Sequence, residues 1–226
     1  MVAFRRAAEL GAAMIELDVQ LTRDDAVVVL HDDTLERTTD GTGRLADHML
    51  ADVERLDAGS WFGRAFAGER VPTLTDVLDG ISLPINVELK AAARPGLAHR
   101  TLAEVERAGA LERVVFSSFD GDLLVQVRSD SHAAVLAVLV GGTVGTAELR
   151  LAERVSARAL HVRKDAVTPA ALAVSARAGL LVRCWTVNEP EEFARLSSAN
   201  VDAVFTDFPE RFLHPPRAGQ GRQKTR

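Results

Sequence analysis

Met14-Ile15-Glu16-Leu17-Asp18-Val19-Gln20-Leu21 alternates from Ile15 onward between apolar and polar side chains. As a strand it puts Glu16, Asp18 and Gln20 on one face and Ile15, Leu17, Val19 and Leu21 on the other. Pro84-Ile85-Asn86-Val87-Glu88-Leu89-Lys90 repeats the pattern, grouping Asn86, Glu88 and Lys90. Two readings follow. On an exposed antiparallel sheet the charged face points to water. In a barrel strand covered by helices outside, it must point inward, where Glu and Lys are unfavourable unless paired or metal-bound.

The segments around these two strands favour the barrel. Strand-like runs at 14–21, 26–31, 84–90, 114–119, 133–140, 159–162, 180–187 and 202–206 are interleaved with helical patterns at 95–108, 120–129, 146–157, 169–178 and 190–198. The later strands are short and mostly apolar, as in a parallel sheet covered on its outer face. Thr168-Pro169 and Glu189-Pro190 read as helix starts, and Gly109 and Gly179 as helix stops. Repeated βα units fit a closed barrel or an open doubly wound sheet. The open sheet would show a Gly-rich turn after its first strand, and none is found; Gly141-Gly142-Thr143-Val144-Gly145 lacks the P-loop lysine. The expected fold is therefore α/β, a (β/α)8 TIM barrel.

Residues 40–75 interrupt the alternation, with a helical hint only at 50–56 and with Gly41, Gly43, Gly59, Gly63, Gly68, Trp61, Phe62 and Phe66. They are expected to form a small ordered insertion over one end of the barrel. The domain is expected to span 1–213. The segment 214–226, with Arg217, Arg222, Lys224 and Arg226 and no acid, reads as a disordered basic tail.

Composition narrows the function. The net charge is −5 despite the basic tail, so the body is acidic and has no basic face for a duplex. Aromatics at 5% and the absence of Tyr argue against a stacking platform for single strands. No apolar run is long enough for stable membrane insertion, and residues 1–6 lack a signal pattern, which points to the cytoplasm. The single Cys184 excludes a cysteine-clustered zinc site and reads as a buried small hydrophobe.

Arg23-Asp24-Asp25-Ala26 is a turn candidate followed by Val27-Val28-Val29-Leu30-His31-Asp32. A hairpin centred between Asp24 and Asp25 would set His31 opposite Asp18 and Asp33 opposite Glu16. A histidine facing two carboxylates is a candidate for proton transfer. Glu16, Asp18 and Glu88 together make a hard oxygen site suited to one divalent cation, Mg²⁺ or Ca²⁺.

These residues resemble the glycerophosphodiester phosphodiesterases, a family with a distorted TIM barrel. The resemblance runs through Gly11–Thr22, Val28-Val29-Leu30-His31-Asp32, Leu35-Glu36-Arg37-Thr38-Thr39-Asp40-Gly41-Thr42-Gly43 and Val71-Pro72-Thr73-Leu74. It continues through Asn86-Val87-Glu88-Leu89-Lys90, Ser117-Ser118-Phe119-Asp120, Trp185-Thr186-Val187-Asn188 and Val201–Asp207. It implies that Glu16, Asp18 and Glu88 ligate the metal. It implies that His31 is the acid for the leaving alcohol and later the base for water, that Lys90 neutralises phosphate charge, and that Trp185 walls the glycerol. The implied substrate is a small glycerophosphodiester; a lysophospholipase D-like activity on lipid is an alternative. The family also begins with a strand and a His-Arg-Gly loop, whereas residues 1–11 here read as the first helix. The expectation is a barrel missing its first strand, with His31 lacking its partner histidine. Either the start is assigned too late, or the chain is an impaired pseudo-enzyme that binds metal or phosphodiester.

Overall fold

The computed structural model describes residues 1–90 and 94–212. Helix α1 (Val2–Leu10) ends at Gly11, whose φ of 90° is a left-handed conformation that glycine adopts without Cβ strain. Strand β1 (Ile15–Leu21) follows, and β2 (Val27–Val29) folds back on it. Helices α2 (Leu50–Val53) and α3 (Leu74–Gly80) precede β3 (Ile85–Leu89). The chain then alternates through α4 (Leu97–Arg107), β4 (Val114–Ser118), α5 (Gly121–Asp130), β5 (Val135–Val140) and α6 (Thr146–Arg154). It finishes with β6 (Ala159–Arg163), α7 (Pro169–Arg177), β7 (Leu181–Trp185), α8 (Pro190–Ser198) and β8 (Ala203–Val204).

The strands form one sheet in the order β2-β1-β3-β4-β5-β6-β7-β8. Every pairing is parallel except β1 with β2. The sheet curls until its ends approach: Arg183 Nη1 on β7 lies 4.0 Å from Met14 Sδ, just before β1. Among the described residues no strand pairs between β8 and β1. The architecture is an α/β barrel open along that seam, the arrangement expected of a TIM barrel lacking one strand. The outer edge of β2 is covered, since Val29 N–H donates to Pro72 O and Val28 bridges Thr73. That cover shields an edge that would otherwise invite pairing with another chain.

Alternation sorts the side chains as anticipated. Ile15, Leu17, Val19 and Leu21, with Ile85, Val87 and Leu89, are buried in the layer between sheet and helices. Each such side chain contributes about 1.5–3 kcal/mol when removed from water. The polar faces of β1 and β3 turn into the barrel. Part of its interior is filled by Val115, Ala137 and Ala159, with Met14 and Val135 packed on them. Cys184 is buried in the main core.

Residues 40–75 are built onto β2. Leu35, Leu45, Val53 and Val71 form a separate small core with Val28 and Leu30. The Asp57 carboxylate ties one loop of this unit together, accepting from the N–H groups of Gly59, Ser60 and Gly68.

Three expectations need revision. The hairpin pairs Val19 with Val29, Gln20 with Val28 and Leu21 with Val27. Leu30, not His31, stands beside Asp18, with Leu30 N–H donating to Asp18 O at 3.1 Å, and Asp33 does not face Glu16. The cause is the turn: Thr22 N–H closes on Ala26 O and Asp25 takes φ 64°, a three-residue loop centred on Asp24. Second, α3 begins at Leu74, inside the stretch assigned to the insertion. Third, most strands are shorter at their ends, with β2 stopping at Val29, whereas β6 runs one residue further, to Arg163. The segment 214–226 lies outside the described residues.

Candidate active site

Strand pairing brings the three acids together. Asp18 on β1 and Glu88 on β3 are register partners, with Glu16 two residues back on the same face of β1. One oxygen from each of Glu16, Asp18 and Glu88 lies within 4.8 Å of the others. Lys90, just past β3, sets its ammonium 3.1 Å from Glu88 Oε1 and 3.3 Å from Asp18 Oδ1. The contact with Asp18 has ion-pair distance without hydrogen-bond alignment, so Asp18 Oδ1 is buried with no hydrogen-bond donor.

One ammonium among three carboxylates leaves the cluster short of positive charge. The surrounding protein, then repulsion from Asp18 and Glu88, push the Glu16 carboxyl up to about 8. Glu16 is nevertheless exposed at the residue level, and the repulsion from Asp18 and Glu88 is what a cation would relieve. Burial, then Asp18, raises Glu88, although Lys90 pulls the other way. For Lys90, burial alone would lower the ammonium; Asp18 and Glu88 outweigh it and hold it above its ordinary value. The orphaned Asp18 oxygen and the all-oxygen donor set fit a divalent cation with hard-ligand preference.

His31 reaches the same place from beyond the end of β2. A cleft of about 280 Å³ is lined by Glu16, Asp18, His31, Arg37, Thr38 and Trp61 among others. The His31 ring is held by its neighbour, with Nδ1 2.6 Å from Asp32 Oδ1. Arg37 grips both oxygens of Asp32, through Nη2 at 2.8 Å and through Nε. The hydrogen bonds from Arg37, ahead of that from His31, hold the Asp32 carboxyl well below the usual range.

Trp185 does not line this cleft. It sits at the end of β7, donating Nε1–H to His161 O at 2.8 Å and meeting Phe119 edge-on, with centroids 5.6 Å apart. The other described histidines also stand apart from the cleft. His48 contacts Thr42 O, His99 contacts Asp130, and His161 is buried on β6 with neither ring nitrogen hydrogen-bonded.

Sequence reasoning passed over Gln20, Asp32 and Arg37. Gln20 was visible on the ligand face of β1, and its amide fans across the carbonyls of Leu30 (2.9 Å), Asp32 (2.8 Å) and, less closely, His31 (3.3 Å).

The chain matches known proteins along almost its whole length. Residues 1–211 match the model of the glycerophosphoryl diester phosphodiesterase family. A glycerophosphodiester phosphodiesterase of Caldanaerobacter subterraneus is 36% identical, over 97% of this chain and 92% of its own. One from Bacillus subtilis is 31% identical, over 94% and 79%. Among solved structures, an Oleispira antarctica phosphodiesterase in complex with the product sn-glycerol-3-phosphate superposes with TM-score 0.83 at 30% identity, covering 92% of this chain and 86% of that one.

Proposed function

The chain belongs to the glycerophosphoryl diester phosphodiesterase family, and from that premise we propose that it hydrolyses a glycerophosphodiester to an alcohol and glycerol 3-phosphate. The observation that carries this reading is an undercompensated three-carboxylate cluster, two of whose members, Glu16 and Asp18, line one cleft with His31. Glu16, Asp18 and Glu88 would hold one divalent cation, Mg²⁺ or Ca²⁺. When bound, it supplies Lewis acidity towards the phosphoryl oxygens and the attacking hydroxyl.

The chain's own residues do the rest. Lys90 places positive charge beside the ligand carboxylates, where charge builds on the phosphoryl oxygens in the transition state. The substrate's glycerol 2-hydroxyl gives its proton to solvent and attacks phosphorus as the bond to the alcohol breaks, leaving a cyclic phosphate whose 2-oxygen takes a proton back from solvent when the ring is opened. His31 donates a proton to the departing alcohol oxygen, then takes one from the water that opens the ring. Trp185, edge-on to Phe119 and outside the cleft itself, would wall the glycerol.

The test is release of choline from glycerophosphocholine in the presence of Mg²⁺ or Ca²⁺. Glu88→Ala is expected to abolish calorimetric cation binding and turnover together. A wild-type protein that binds cation without turnover would support a non-catalytic binder instead. A lipid substrate is a second reading, favoured by Trp61 at the cleft and Phe62 beside it, 52% and 71% exposed. Under that reading Phe62→Ser weakens kcat/KM for a lysophospholipid and leaves glycerophosphocholine unaffected.

A further inference from the structure

His31 poses a structural problem. Its side chain is 63% exposed, so packing does not hold the ring, yet a proton donor must meet the leaving oxygen within hydrogen-bond reach. Three residues with no role in the reaction described so far converge on it. Gln20 is 5% exposed and lies two residues beyond Asp18 on the same face of β1. Its amide binds the backbone carbonyls of Leu30, His31 and Asp32, where the chain leaves β2. The segment carrying His31 is thereby tied to the strand that carries two of the metal ligands. Asp32 then accepts from the His31 ring, and Arg37 holds both Asp32 oxygens in a planar fork.

We propose that Gln20, Asp32 and Arg37 are positioning residues for His31. Gln20 fixes the backbone on which His31 stands, and the Asp32–Arg37 pair fixes its ring. With Nδ1–H donated to Asp32, Nε2 is the nitrogen left to exchange a proton with substrate. Asp32 and Arg37 belong to neither hydrophobic core, and the one other described side chain the fork holds is the His31 ring, so the fork is read as orientation of that ring. The inference rests on the reading of His31 as the leaving-group acid.

Two substrates separate the possibilities: glycerophosphocholine, whose alkoxide must be protonated as it leaves, and glycerol 3-phospho-p-nitrophenol, whose phenolate need not be. In single-turnover release of the alcohol, the step before His31 acts as base, His31→Ala is expected to lower the rate on the first by about 10²–10⁴-fold and to affect the second far less. Asp32→Asn and Gln20→Leu are expected to lower that rate on the first by about 10–100-fold, with substrate affinity and nitrophenolate release near wild type. Arg37→Lys keeps the charge but loses the fork, and falls between wild type and Asp32→Asn. Should Gln20→Leu fail to fold, as read by circular dichroism, Asp32→Asn and Arg37→Lys on the surface carry the test. Equal losses on both substrates, or no loss on either, overturn the positioning role while leaving that of His31 intact. A His31→Ala variant that treats both substrates alike overturns the acid role, and the positioning role with it.

Discussion

Glu16 is strongly altered by its surroundings. Its carboxyl stands at about 8 against an ordinary 4.5, so below about 8 the metal-free site holds a proton that a cation must displace. Calorimetric titration of Mg²⁺ or Ca²⁺ in buffers of different ionisation enthalpy should therefore show protons released at pH 7, the number falling as pH passes about 8. Lys90 invites a second test. Lys90→Met removes the only described cation contacting Asp18 and Glu88, and is expected to lower kcat by about 10²-fold with the protein still folded. The ligand triad and Lys90 were legible in the sequence because a strand's period of two fixes which side chains share a face. Gln20, Asp32 and Arg37 were not. Gln20 acts on the carbonyls of Leu30, His31 and Asp32, at the far end of the hairpin, and no pattern of residue types reports which backbone groups a side chain will meet.

At the level of elements, the hairpin shows where legibility stops. Both strands and their turn could be placed from alternation and from Asp24-Asp25, but the register depends on whether the loop holds two or three residues. Asp25 at φ 64° decides for three, a conformation that Asp tolerates without requiring it. Helix α3 was missed because its Leu74–Gly80 span is too short to show a period, although Thr73 and Asp76 form a reciprocal cap. Thr73→Ala should reduce stability by about 1 kcal/mol in urea titrations. The loop bearing Trp61 depends on a close backbone approach: a Cβ at Gly59 would lie 1.8 Å from Phe66 O. Gly59→Ala is expected to destabilise by about 1–3 kcal/mol, and proteolysis should find the 57–69 loop opened before the barrel unfolds.

For the whole molecule, the open barrel concentrates ionisable groups whose balance shifts with pH. Between 4.5 and about 8 the folded metal-free protein holds a proton on Glu16 that the unfolded chain has lost, so stability falls as pH rises through that window. Burial, then Arg183, lowers His161 to about 3 against 6.5, so stability also falls as pH drops from 6.5 towards 3. Thermal unfolding across pH should show both limbs. Saturating Mg²⁺ or Ca²⁺ should flatten the upper limb, and His161→Leu should flatten part of the lower one. The barrel class and the order of βα units were legible because each unit carries its own apolar period and stop signals. The closeness of β7 to the start of β1 was not, since it arises only when the whole sheet curls. The most direct test of the account is a ³¹P NMR time course of glycerophosphocholine with the protein and Mg²⁺ or Ca²⁺. The account predicts that the diester resonance is replaced by that of glycerol 3-phosphate, and that Glu88→Ala or a chelator stops the conversion. A diester resonance unchanged by the wild-type protein with either cation, or converted equally well by Glu88→Ala, would contradict it.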